Sequence, residues 1–144
     1  MPQEILGGTH ADSRGILRFC NEFDMGAVKR FYTISNSAEC PVRGWIGHRR
    51  ETKWFFPLKG TTTVTVEPMD GEALAAATSA MAAVVKKDAG GAKETFVLDS
   101  GRPSVLNIKP GNWFCIEQHD GAEIMVFSDC KVGEFENDDL RRLL

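Results

Sequence analysis

No apolar run in this chain approaches the roughly 20 residues that a bilayer-spanning helix needs. Residues 1–8 carry neither a basic leader nor an apolar core, so neither a signal peptide nor membrane contact is expected, and the protein is read as cytoplasmic. Cysteine is sparse: Cys20, Cys40, Cys115 and Cys130 form no CxxC pair and no zinc spacing. In a cytoplasmic protein they read as buried or half-buried thiols rather than disulfides. Histidine is scarcer still, with only His10, His48 and His119. Charge of one sign is not concentrated anywhere, because acids and bases are mixed along the chain and the net charge is −3. Nucleic-acid binders gather their basic residues on one face, so nucleic acid is not expected as a partner. The densest basic cluster, Arg43, His48, Arg49, Arg50 and Lys53, suits a small phosphate-bearing molecule better than a polymer backbone.

What is present fits one ordered domain. The 144 residues, 42% of them hydrophobic, suffice for a single core. Short runs rich in β-branched and aromatic residues cover 16–19, 29–34, 53–58, 61–67, 95–98, 104–108, 113–117 and 122–128. Turn sequences separate them: Asp12-Ser13-Arg14-Gly15, Lys59-Gly60, Asp99-Ser100-Gly101, Lys109-Pro110-Gly111 and Asp120-Gly121. Many strands at short spacing imply an all-β sandwich or barrel. One stretch breaks the pattern. Residues 72–87 are Ala-rich and favour helix by propensity, with Asp70 as a cap and Gly90-Gly91 as a stop. They read as a helix or ordered loop inserted between strands, or as a flexible excursion. The tail, 134–144, runs from acidic to basic and suits a short C-terminal helix.

The chemistry concentrates between Val42 and Gly60. If residues 44–48 are extended, Ile46 and His48 face one side and Trp45 and Gly47 the other. Inside a barrel, the His48 imidazole would serve as a general base; outside, it would be one more solvated residue among arginines.

The order of motifs resembles the sugar-nucleotide cupins. Asp12-x-Arg14-Gly15 is followed by Val28-Lys29-Arg30-Phe31-Tyr32-x-Ile34, by Arg43-Gly44-x-x-x-His48 and by a turn at Gly60. Lys109-Pro110-Gly111, Val126-Phe127-Ser128-Asp129 and Asp139-Leu140-Arg141 continue it, so that all but an insert at about 69–93 is covered. The dTDP-4-oxo-6-deoxyhexose 3,4-ketoisomerases are the most similar group, and the dTDP-4-dehydrorhamnose 3,5-epimerases are related. The resemblance implies one jelly-roll domain over 1–144, a homodimer, and a nucleotide-diphosphate sugar in the barrel mouth, within deoxysugar and polysaccharide biosynthesis. It makes His48 the catalytic acid/base, matching the second histidine of a His-x-His pair whose first position here is Ile46.

Six residues are expected to contact substrate. Arg43 and Tyr32 are candidate donors to the oxygen of an enediolate, although an arginine after a turn also pairs with carboxylates and a strand tyrosine also packs. Arg14 inherits a reach across a dimer toward the nucleotide, against a local pair with Asp12. Arg30 offers a fork that matches phosphate, and reads equally as an outward strand arginine. Trp45 offers a stacking face, although tryptophans in a small barrel are more often core or interface, and Glu51 completes the set. The family's epimerases place their base where Ile46 stands, so epimerisation would need another base such as Glu51 or Glu117, an inward-facing carboxylate being its sign. A barrel that binds the sugar nucleotide without turning it over is the remaining alternative.

Metal cupins carry His-x-His, a following glutamate and a third histidine after a Pro-x-Gly turn. The corresponding residues here are Ile46, His48, Lys53 (with Glu51 nearby) and Phe114. One histidine falls short of the three or four ligands a divalent ion takes, and His10 and His119 lie in turn-like segments. No metal and no other cofactor is expected.

Overall fold

A computed structural model of the protein describes residues 2–70, 82–85, 92–135 and 138–142. In chain order the strands are β1 (Gln3–Leu6), β2 (Gly8–Asp12), β3 (Gly15–Phe19), β4 (Arg30–Ile34), β5 (Val42–His48), β6 (Lys53–Lys59) and β7 (Thr61–Pro68). They continue as β8 (Ala82–Val85), β9 (Glu94–Asp99), β10 (Ser104–Ile108), β11 (Asn112–Gln118), β12 (Glu123–Ser128) and β13 (Asp139–Arg142). No helix occurs among the described residues. The eight runs read from the sequence all form strands, with the period-two burial clearest in β7 and β12.

The strands assemble into two facing sheets and a separate hairpin. One sheet runs β1-β10-β6-β12-β4, the other β8-β13-β5-β11-β7-β9, and β2-β3 stands alone. Phe55, Leu106, Ile124 and Val126 from the first sheet meet Val64, Val66, Leu98, Phe114 and Ile116 from the second in one buried cluster. Burying a side chain of that size contributes about 1.5–3 kcal/mol, and this cluster closes one end of the space between the sheets. The other end stays open.

Two helical expectations are corrected. The C-terminal segment is strand β13, not a helix: Leu140 and Arg142 are buried while Asp139 and Arg141 are not. That period of two is dictated by the edge of β5, whose unpaired backbone groups offer a ladder that outweighs the helical order of charges. In the Ala-rich insert, Ala82–Val85 is strand β8, parallel to β13, and the remainder of the expected helix lies outside the described residues. Val84 and Val85 are β-branched and sit beside an available edge, which explains the strand there. All four cysteines are free thiols; Cys20, Cys115 and Cys130 are half-buried or buried as read from the sequence, whereas Cys40 is exposed.

Candidate functional site

β5 builds the site. Ile46 and His48 point between the sheets, as the alternation predicted, while Trp45 packs outward with Met69, Trp113 and Leu140. Gly47 is needed on that outer face, since a Cβ there would lie 2.9 Å from the Trp113 ring. On one side β5 pairs with β11, setting Phe114 beside Ile46; on the other it pairs with β13, setting Asp139 directly opposite His48 and Arg141 opposite Ile46. The open end of the barrel is therefore a cavity of about 320 Å³ whose wall includes Tyr32, Ile34, Arg43, Ile46, His48, Lys53, Phe55, Phe114, Asp139 and Arg141. Aromatic and aliphatic residues form its floor, with one acid, one imidazole and three cations above them.

His48 is 4% exposed. Its Nε2 lies 3.1 Å from Asp139 Oδ1 and 3.4 Å from Glu51 Oε1. The hydrogen bond with His48 holds the Asp139 carboxyl below its ordinary value, against partial burial, which pushes the other way. Lys53 is buried at the start of β6, where its ammonium donates to Tyr32 Oη at 2.7 Å and faces the Tyr32 and Phe114 rings. A buried ammonium requires such partners. Arg43 sits at the rim and donates to Asn36 Oδ1 at 3.3 Å.

Glu51, 5% exposed, lies behind His48 rather than in the cavity wall. Ser128 Oγ and Arg30 both donate to its Oε2, the arginine at 3.3 Å, and Lys53 Nζ stands 3.9 Å away. The loop that carries it is fixed by Asp138, whose carboxylate accepts the backbone N–H groups of Arg49, Arg50 and Glu51 at 2.7–3.0 Å. His48, Glu51 and Asp139 together offer three ligand atoms within 4.8 Å of one another, a set that counting histidines misses because Asp139 comes from the far end of the chain.

Of the seven residues singled out in the sequence, His48, Arg43 and Tyr32 share the cavity. Arg30 and Glu51 pair outside this cavity, Glu51 buried and Arg30 about one-third exposed, and the Arg30 guanidinium donates to Glu51 and to the Cys130 carbonyl at 3.0 Å. Trp45 faces the opposite side of β5, against the Arg142 guanidinium at 4.4 Å, and offers no stacking face to the cavity. Arg14 lies on the isolated hairpin, bonded to Asp12 at 2.7 Å and outside the cavity of its own chain. Glu117, the other stand-in base, is exposed and bonded to His119 at 2.7 Å. Lys53, Asp139 and Arg141 are cavity residues without a site role in the sequence reading, although Lys53 stood in its basic cluster and Asp139 and Arg141 in a motif of the resemblance. Lys53 was legible, since alternation with Phe55 and Pro57 puts it on the inner face of its strand; Asp139 and Arg141 had no such signal.

No family model matches the chain, and no curated protein matches it. Solved structures do. A 3,4-ketoisomerase from Thermoanaerobacterium thermosaccharolyticum in complex with TDP superposes with a TM-score of 0.67 at 18% identity, over 97% of this chain and 87% of that one. The TDP-quinovose 3,4-ketoisomerase WlaRB from Campylobacter jejuni gives 0.61 at 16% identity, over 94% and 92%. The rmlC epimerase of Mycobacterium tuberculosis gives 0.69 at 15% identity, over 97% and 68%. The chain thus has the fold of the dTDP-sugar 3,4-ketoisomerases and the RmlC-type epimerases.

Proposed function

We propose that the protein is a metal-independent isomerase of a nucleotide-linked 4-keto-6-deoxy sugar, with dTDP as the nucleotide. In this reading it moves the carbonyl between C4 and C3 through an enediol, with His48 as acid and base. The observation that carries the reading is the inward-facing His48, backed by Asp139 on one ring nitrogen and set in one cavity with the Lys53–Tyr32 pair.

A proton on the carbon beside a ketone is acidic because its electron pair can move onto the carbonyl oxygen. His48 takes that proton from C3 and returns it at C4, while the C3 hydroxyl gives up its proton and the C4 oxygen gains one, so that carbonyl and hydroxyl exchange places. The oxygen that gains charge needs a donor held in a dry site, which the Lys53 ammonium and the Tyr32 hydroxyl supply. Arg43 and Arg141 at the cavity wall suit the diphosphate. Metal chemistry is not needed for this route. The positive charge that a cation would bring to Glu51 is already provided by Arg30 and Lys53. We also propose a homodimer, in which Arg14 of one copy reaches the nucleotide of the other.

One observation favours a second reading. Ile46 presents an apolar side chain to the cavity at the position that matches the first histidine of the ketoisomerase pair, which suits binding without turnover. Incubation with dTDP-4-keto-6-deoxyglucose in deuterated water, followed by proton NMR, separates the two. Conversion at C3 that is lost in His48→Asn supports the isomerase. Exchange at C5 would require an epimerase instead, and binding with no exchange at either carbon would leave only the non-catalytic barrel.

A further inference from the structure

The base proposed above uses only one of the two carboxylates that surround His48, and the second is the more firmly built. Glu51 is held at Oε2 by Ser128 and Arg30, and its own backbone N–H is tied to Asp138 at 3.0 Å. Its other oxygen, Oε1, is thereby turned toward His48 Nε2. Asp139, by contrast, is half exposed, with 53% of its side chain open to solvent. A neutral imidazole carries its single proton on one nitrogen, and the hydrogen bond made by the other side of the ring decides which. At His48 both carboxylate oxygens approach the ring at Nε2, Asp139 at 3.1 Å and Glu51 at 3.4 Å.

We propose that Glu51 is a positioning residue that fixes the tautomer of His48, keeping the ring proton on Nε2 between two carboxylates and leaving the Nδ1 lone pair bare. Asp139 alone would leave this choice to a solvent-exposed side chain free to rotate. Glu51 removes that freedom, since turning it away would strand the buried Ser128 hydroxyl and break the ion pair with Arg30. The consequence for catalysis rests on His48 being the base; the tautomer itself does not.

The substitution Glu51→Gln makes the idea sharp. Arg30 and Ser128 are both donors, so they claim the glutamine oxygen and turn its NH₂ toward His48 Nε2. That NH₂ needs an acceptor, and Nε2 becomes one only if the ring proton moves to Nδ1. Two-bond proton–nitrogen correlation spectra of the ¹⁵N-histidine-labelled full chain, recorded as the pH is raised until the ring is neutral, read the tautomer directly. The wild type is expected to show a protonated Nε2 and a bare Nδ1. Asp139→Asn is expected to keep that pattern, because Glu51 remains. Glu51→Gln is expected to lose part of it, and the double variant all of it. In turnover the Glu51→Gln loss should fall on kcat, with KM little changed.

A wild-type ring protonated on Nδ1, or an unchanged pattern in Glu51→Gln, would overturn the proposal. So would loss of the pattern in Asp139→Asn alone, a variant that leaves the Glu51–Arg30–Ser128 cluster intact and therefore decides the matter even if Glu51→Gln does not fold. Absence of turnover with the spectra as expected would instead remove the isomerase reading and leave the tautomer assignment standing.

Discussion

His48 on β5 and Asp139 on β13 stand directly opposite each other in an antiparallel pair, with Nε2 and Oδ1 3.1 Å apart. The relationship joins the middle of the chain to its last described strand, and it makes the tail part of the cavity rather than an appendage. Removing the charge while keeping the shape, Asp139→Asn, should lower kcat by about 10- to 100-fold, short of the 10²–10⁴ that general acid–base groups typically supply and that His48→Asn should forfeit. Equal activity in the Asp139→Asn variant and the wild type would show that the acid is idle.

The same pair predicts a pH dependence of stability. Asp139 sits below its ordinary value of 3.8 when folded. A depressed carboxyl contributes stability that is fully present above its unfolded value and lost as pH falls through the folded one. The stability difference between wild type and Asp139→Asn should therefore be constant from neutral pH down to about pH 5 and shrink below about pH 4. Denaturant titrations at several pH values would test this; a difference that grows on acidification would mean the pairing has the opposite sign.

Much of the barrel was legible because alternation and turn chemistry are local. Thr62, Val64 and Val66 bury one face of β7, and the Lys109-Pro110-Gly111 turn falls between β10 and β11 where its residues demand. What was not legible depends on contacts across the chain. Asp139-Leu140-Arg141-Arg142 looks helical by charge order and becomes a strand only because β5 offers an edge. In the site, the inward face of β5 followed from a period of two, whereas nothing in the sequence says that Arg30 and Glu51 pair or that Trp45 packs on Arg142. Those arrangements are set by the cross-strand register, which places Arg30, Ser128 and Lys53 in one row.

Metal removal gives a third prediction. The His48, Glu51 and Asp139 atoms are close enough to hold a divalent ion, yet Glu51 is already neutralised by Arg30 and touched by Ser128. Dialysis against a strong chelator should leave isomerase activity unchanged, and added zinc should inhibit by taking the Nε2 that the dyad uses. Activity lost on chelation and restored by one particular metal would contradict the metal-independent mechanism.

The proposed homodimer also has a physical signature. Phe31 on the edge strand β4 is 66% exposed, and it continues an outward aromatic row with Phe127 and Trp54, over which Phe23 is tilted at 5.3 and 5.8 Å. Leu6 on β1 and Ile16 and Leu17 on β3 are exposed as well. An exposed aromatic row on an edge strand is where a second copy would pair. Light scattering after size exclusion should give twice the chain mass, and the combination Leu17→Glu with Phe31→Glu should halve it. A wild type that runs as a monomer at micromolar concentration would remove the dimer, and with it the role proposed for Arg14.

A last prediction concerns the outer face of β5. Arg142 and Glu67 form an ion pair there, both nearly buried, with the guanidinium 4.4 Å from the Trp45 ring and 5.2 Å from that of Trp113. Two charges taken out of water repay their desolvation only while both are present. Removing one should therefore cost far more than removing both. Arg142→Met should destabilise the protein by about 3–5 kcal/mol, since Glu67 is left charged among tryptophans. The double variant Glu67→Met/Arg142→Met should recover most of that loss. The cavity side of β5 is untouched in either case, so substrate affinity should follow the folded fraction and nothing else. Chemical denaturation of the three proteins distinguishes the outcomes: if the single and double variants are equally unstable, the packing of the arginine stem on Trp45 and Trp113, and not the charge pair, holds β13 in place.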